Sequence, residues 1–245
     1  MGGELSKRNA VITGGARGIG LAIARRFHEE GGRVCVWDRD PSPVEESKEA
    51  SVALALSVDV ADEASVAAAY DATIQRFGQI DILVNNAGVN GPTVPFWEYA
   101  VADWDRVQAV DLKGVFLCSR AVAPAMRVRG SGRIIHVSSV VGKTGGPNAI
   151  AYCAAKAGVI GLTKSMAMEL VKDGVLVNAI APAMAETDLL AEMSPDYIAE
   201  VKSRMPMGRL CAVEEIADVA AWIASPRCSF TTGQVFDVSG GRAQY

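Results

Sequence analysis

Short apolar runs recur along this chain with longer amphipathic segments between them, an order that leaves few folds open. The runs are Ala10 to Ile12, Val34 to Trp37, Ala53 to Val58, Ile82 to Val84, Arg133 to Val137, Leu176 to Ala181 and Gln234 to Val238. Apolar residues follow one another in them instead of alternating, so both faces of each strand need cover, as in a parallel sheet between helices. The intervening segments carry helical spacing: Glu63 to Phe77 sets Val66, Tyr70, Ile74 and Phe77 on one stripe. The pattern predicts a doubly wound α/β fold, a mostly parallel sheet with helices on both faces. No linker, repeat or low-complexity stretch divides the 245 residues, so one domain spanning 1–245 is expected.

The first run leads into Thr13-Gly14-Gly15-Ala16-Arg17-Gly18-Ile19-Gly20, after which Ile19, Ala22, Ile23 and Phe27 recur at helical spacing. The glycines therefore stand at a strand-to-helix turn. The first turn of a helix has unpaired N–H groups and the positive end of the dipole, and glycine lets a pyrophosphate approach the backbone. Gly14, Gly18 and Gly20 supply that access. Asp38 ends the next strand about twenty residues on, where it can accept a hydrogen bond from a ribose 2′-hydroxyl.

Half of the residues are hydrophobic, enough for one large core, and the net charge of −4 with a pI near 5.3 argues against nucleic-acid or membrane-surface partners. No apolar run is long enough to span a bilayer, and the polar stretch from Met1 to Asn9 leaves no room for a signal peptide before the first strand. A cytoplasmic protein is expected. Cys35, Cys118, Cys153, Cys211 and Cys228 are scattered singly and read as small buried hydrophobes, while His28 and His136 stand apart from the glycine turn. Neither a disulfide framework nor a metal site is expected.

The segments Gly88 to Pro95, Gly142 to Pro147 and Pro182 to Pro206 read as loops at the carboxyl ends of strands, where open parallel sheets bind ligands. Trp104 to Met126 and Tyr152 to Val171 read as long helices with apolar or small residues on more than one face. In the second, Ala154, Gly158, Gly161 and Ser165 lie opposite Val159, Leu162, Met166 and Leu170. A homo-oligomer formed by helix packing is expected.

Tyr152 and Lys156 are four residues apart at a helix start, so they project on one face about 5–6 Å apart at Cβ. They follow a strand whose end carries Ser138 and Ser139. An ammonium beside a phenol favours the phenolate, which turns a tyrosine into an acid/base group nearer neutral pH, and a serine hydroxyl can orient the reacting oxygen.

Over essentially its full length the chain resembles the short-chain dehydrogenases/reductases. Thr13 to Gly20 matches the family's cofactor turn, Asn85-Asn86-Ala87-Gly88 its signature after the fourth strand, and Ser139 with Tyr152 and Lys156 its catalytic set. Ser139, not Ser138, is the match, thirteen residues before the tyrosine. The resemblance implies a Rossmann fold and hydride transfer between a nicotinamide and an alcohol or carbonyl carbon. Tyr152 would exchange a proton with the substrate oxygen, Lys156 would bind the nicotinamide ribose and favour the phenolate, and Ser139 would hold the substrate oxygen. It further implies cofactor contacts from Gly14, Arg17, Gly18, Ile19, Gly20, Asp38, Asp59, Val60, Asn86, Ala87 and Gly88, with Pro182 through Thr187 fixing the carboxamide. It also implies a dimer or tetramer built through the two long helices.

Three positions depart from the family. Asp111-Leu112-Lys113-Gly114 stands where Asn-Leu-x-Gly is usual, so the fourth catalytic position is an acid; it either preserves the asparagine's role or partly offsets Lys156. Ala183 replaces the glycine of Pro-Gly, and Ser239 replaces an acid before Gly240-Gly241. Arg17 and Arg39 would welcome a 2′-phosphate whereas Asp38 repels one, and the close repulsion decides for NAD. Asn90, Thr93, Trp97, Thr144, Asn148, Met184 and Glu186 offer polar contacts beside modest apolar area, which suits a sugar, sugar acid or polyol. The rival expectations are an NADPH-dependent 3-oxoacyl thioester reductase and a non-catalytic NAD-binding sensor.

Overall fold

The computed structural model describes residues 3–187 and 195–243, backbone only at 195–197. All seven expected strands form: β1 Asn9–Thr13, β2 Arg33–Asp38, β3 Leu54–Ser57, β4 Ile82–Asn85, β5 Gly132–Val137, β6 Val175–Pro182 and β7 Val235–Val238. They make one parallel sheet in the order β3-β2-β1-β4-β5-β6-β7. Successive residues of β1 serve opposite faces. Ala10 and Ile12 pack with Val34 and Val36 under α1 (Gly18–Glu29) and α9 (Val213–Ala224). Val11 packs with Cys35, Trp37 and Leu83 under α3 (Glu63–Phe77), α5 (Gly114–Arg129) and α7 (Ile150–Leu170). Burial on both sides is what removed alternation from the sequence.

Helix ends follow local chemistry. Asp62 accepts the backbone N–H groups of Ala64 and Ser65 to start α3, and Gly78 at φ 82° stops it. The segment expected from Trp104 to Met126 starts earlier and has a break: α4 (Val101–Gln108) runs through a π-turn, Ala109–Lys113, into α5. A π-turn widens one turn of helix and marks functional sites in many proteins.

Two expected loops contain helix. Within Gly142 to Pro147 the chain is still in α6 (Val140–Thr144), capped by Ser139. Between Pro182 and Pro206 lies α8 (Pro195–Ser203), where proline suits a first helical turn and Val201 is buried with Met205 and Leu210. Residues 188–194 of that loop lie outside the described residues. Among the cysteines, Cys35, Cys118 and Cys228 are buried as expected, but Cys153, on α7 beside the Gly146 carbonyl, and Cys211, bridged to Ala185 outside the main sheet, are only partly so. Among the described residues no helix is long and apolar enough to cross a membrane.

Candidate active site

The sheet order reverses between β1 and β4, and a cavity of about 420 Å³ opens there at the strands' carboxyl ends. The glycine turn forms one wall. Gly14 adopts φ 61° and Gly18 φ 53°, backbone that favours glycine. Helix α1 begins with Arg17 as its cap residue, makes no side-chain capping bond and carries no acid in its first turn. Its leading N–H groups are therefore left for an external anion, which fits the pyrophosphate of a dinucleotide. Gly20 serves packing instead. A Cβ there would lie 2.2 Å from the Gly14 carbonyl, so the missing side chain seats the helix against the turn.

Asp38, the last residue of β2, lines the cavity next. Its carboxylate accepts the Ala16 N–H at 3.0 Å and the Asp40 N–H at 3.1 Å, and it lines the cavity beside Asp59, Val60, Trp37 and Val58. Arg17 also lines the cavity, and its guanidinium lies 3.2 Å from Asp40, an acid that sequence reasoning passed over, in a pair more than half exposed to water.

On the opposite wall stand Asn86, Ala87 and Gly88. Asn86 does more than line it: Nδ2 donates to the carbonyls of Thr13 at 3.0 Å and Gly14 at 2.9 Å, while the Thr13 hydroxyl accepts the N–H groups of Asn86 and Ala87. The signature after β4 thus braces the glycine turn. Thr187 lines the cavity next to Gly18, where an added Cβ would lie 3.5 Å from Thr187 Cγ2, whereas Pro182 ends β6 in the interior.

Beyond Gly88 the catalytic candidates meet. Lys156, on the second turn of α7, is buried; its Nζ donates to the Val137 carbonyl at 3.1 Å, lies 3.3 Å from Asp111 Oδ2 and is 5.4 Å from the Tyr152 ring centroid. Ser138 donates to the Lys156 carbonyl at 2.8 Å and so ties α7 to the end of β5. The next residue, Ser139, accepts the Val141 N–H at 3.4 Å and starts α6. Both serines of the pair have a structural bond, one to α7 and one to the start of α6.

Asp111 sits in the π-turn and is fully buried; Oδ1 accepts the Val89 N–H at 2.8 Å, and Oδ2 has no hydrogen-bond partner. Burial pushes the Asp111 carboxyl up, with Lys156 and the Val89 N–H offsetting only part of it. Burial alone would depress the Lys156 ammonium, but Tyr152 and Asp111 outweigh it and hold the group above its ordinary value. Gly88 permits this approach: a Cβ there would lie 2.9 Å from Asp111 Oδ2 and 3.3 Å from Lys156 Nζ.

The substrate side is framed by two loops joined by the bond from Val94 N–H to the Asn148 carbonyl at 3.2 Å. Asn90, Thr93, Trp97, Thr144 and Asn148 are exposed around it, and Asn148 holds φ 59°. Ser239, where the family usually has an acid, hydrogen-bonds Asp237, which pairs with Lys143 at 2.9 Å, so an acid is present two residues earlier.

A second polar cluster lies deeper. Thr163 Oγ1 donates to the Val159 carbonyl at 2.7 Å, so it accepts from His136 Nδ1 at 2.9 Å. The remaining nitrogen, Nε2, then accepts from Ser119 Oγ at 3.4 Å, and Ser119 accepts from Asn85 Nδ2 at 3.0 Å. His136 is fully buried and burial lowers its pKa to about 3, so it is neutral.

These features define a doubly wound α/β protein whose switch-point cleft suits a dinucleotide. A sequence model of the family described as "Enoyl-(Acyl carrier protein) reductase" matches residues 14–243, and the chain belongs to the short-chain dehydrogenase/reductase family of oxidoreductases. It is 43% identical to a 2-dehydro-3-deoxy-L-rhamnonate dehydrogenase (NAD(+)) of Sphingomonas sp. (strain SKA58), over 99% of this chain and 98% of that one. It is 42% identical to a cis-4-hydroxycyclohexanecarboxylate dehydrogenase of Sinomonas cyclohexanicum, over 98% of each. Among solved structures, a 3-ketoacyl-(acyl-carrier-protein) reductase from Brucella melitensis complexed with NADH is similar with a TM-score of 0.92 and 34% identity, over 98% of this chain and 100% of that one.

Proposed function

We propose that this protein transfers hydride between NAD(H) and a secondary alcohol or ketone of a small polar substrate, a sugar acid or related hydroxy acid. The observation that carries the reading is Lys156 held beside Tyr152 at the end of a cleft whose ribose end is the Asp38 carboxylate. Bound NAD would supply the hydride acceptor. In the oxidising direction Tyr152 takes the proton of the substrate hydroxyl as hydride leaves the same carbon, Ser139 holds the substrate oxygen, and Lys156 grips the nicotinamide ribose and favours the phenolate. Asp38 bonds a free 2′-hydroxyl and repels a 2′-phosphate. Two relatives above 40% identity support the substrate class, because each is named for a carboxylic acid.

Replacing Tyr152 by Phe is expected to lower kcat/KM by about 10²–10⁴-fold while NADH binding, followed by fluorescence, stays the same. Undiminished turnover would overturn the acid–base role. In Asp38→Ala, NAD affinity falls about tenfold or more and the preference for NAD over NADP narrows, as titration of both cofactors will show. A substrate panel of sugar acids, polyols and 3-oxoacyl thioesters separates the proposed class from the thioester reductase.

Assembly into dimers or tetramers through α5 and α7 is part of the same reading. Gly161 opens to nothing within 4 Å, and Phe116 and Met168 on those helices are exposed. Light scattering that returns a monomer would remove it.

A further inference from the structure

We propose that Asp111 is the fixed anionic partner of Lys156, a positioning residue whose carboxylate holds the ammonium in place and counters part of its charge at Tyr152. The proposal rests on the dehydrogenase reading above and specifies how the proton step is tuned. The arrangement is direct: Oδ1 is committed to the Val89 N–H at 2.8 Å, leaving Oδ2 with no hydrogen-bond partner and 3.3 Å from Nζ. The backbone is shaped for this contact. The π-turn carries Asp111 on the side facing α7, and Gly88 puts no side chain between the two charged groups.

The groups acting on the pair come from each neighbouring element. Lys156 and Tyr152 face it from α7, and Arg106 acts on Asp111 from α4. Lys113, on the π-turn itself, is directed to the Ala61 carbonyl. The loop after β4 offers only the Val89 N–H, and no charged group of α5 is among those acting on it. Tyr152 therefore meets a lysine whose charge is partly balanced, where an asparagine would leave that charge whole.

The test compares the parent with Asp111→Asn, a near-isosteric change that removes only the negative charge. In the pH profile of kcat/KM, the limb that vanishes with Tyr152→Phe should move to lower pH by about one unit or more in Asp111→Asn, because the unbalanced ammonium favours the phenolate. A second measurement needs no turnover. The tyrosinate absorbance of the cofactor-free protein, taken as the difference from the matching Tyr152→Phe protein, should appear at lower pH in Asp111→Asn than in the parent. Gly88→Ala, which drives a methyl against both groups without removing a charge, moves it the same way by less. A purely structural role for Asp111 would lower stability and leave the limb in place. A limb and a tyrosinate titration that stay put, or move to higher pH, overturn the proposal. A protein that turns over no alcohol or carbonyl overturns the dehydrogenase reading instead, and the tyrosinate titration still decides on Asp111.

Discussion

Helix α7 carries two buried polar clusters about two turns apart, one around Lys156 and one around Thr163. In the deeper one, each bond from Asn85 through Ser119 and His136 to Thr163 and Val159 has a single donor direction, and the ring is neutral. In the upper one, an ammonium and a carboxyl face each other at 3.3 Å, both buried. The first joins β4, β5, α5 and α7 with no group free to titrate near neutral pH. The second sets a buried ion pair beside Tyr152. The difference is charge: the neutral chain leaves Asn85 Oδ1 without a hydrogen bond but buries no ion, while a buried charged pair carries the desolvation cost of both ions and belongs where chemistry needs it.

Breaking the pair from one side tests the destabilising half of that contrast most severely. Lys156→Met leaves the Asp111 carboxyl buried alone and should cost about 3–5 kcal/mol in denaturant unfolding. Adding Asp111→Leu should restore most of it, since an apolar pair has no charge to strand. If the double variant is no more stable than the single, the pair is not a liability.

The neutral chain has its own signature in pH. His136 has a folded-state pKa near 3 against an ordinary 6.5, so below pH 6.5 the unfolded chain takes up a proton that the folded chain refuses. Stability from this group is whole above pH 6.5 and declines by about 1.4 kcal/mol per pH unit on the way down. His136→Asn lacks that proton, so the parent's stability advantage measured at pH 7.5 should shrink steadily towards pH 5. A constant advantage would mean that the ring is protonated in the fold.

The smallest effect belongs to a charged pair that is neither buried nor catalytic. Arg17 and Asp40 are both more than half exposed, and screening by water leaves little to lose. Arg17→Ala should keep the thermal midpoint of the parent. A clear drop would place more of the turn's stability in that pair than its exposure allows.

Much of this was legible in the sequence where local chemistry decides. Burial on both faces makes a strand read as a continuous apolar run, and a capping Asp62 with a closing Gly78 bounds α3 at the ends expected. The glycine turn, Asp38 and the Tyr152-Lys156 spacing also announced themselves, because each needs particular residue types at set distances. Other features depend on partners far along the chain. The π-turn at Ala109–Lys113 has no local signature: what accompanies it is the meeting of Asp111 with Gly88 and Lys156. Arg17 read as a phosphate partner because nothing local announces Asp40, twenty-three residues away, as its neighbour. His136 read as an idle strand residue, since its partners come from α5 and α7. Within the loop from Pro182 to Pro206, helix α8 was hidden by its flanking prolines.

The brace that Asn86 forms with Thr13 and Gly14 links residues 72 and 73 positions apart. An N-terminal fragment ending before β4 would contain the whole glycine motif and Asp38 yet lack the bonds that hold the turn open. On the ribosome the chain therefore acquires its nucleotide grip only after β4 has threaded in beside β1, a non-local closure of the slow kind.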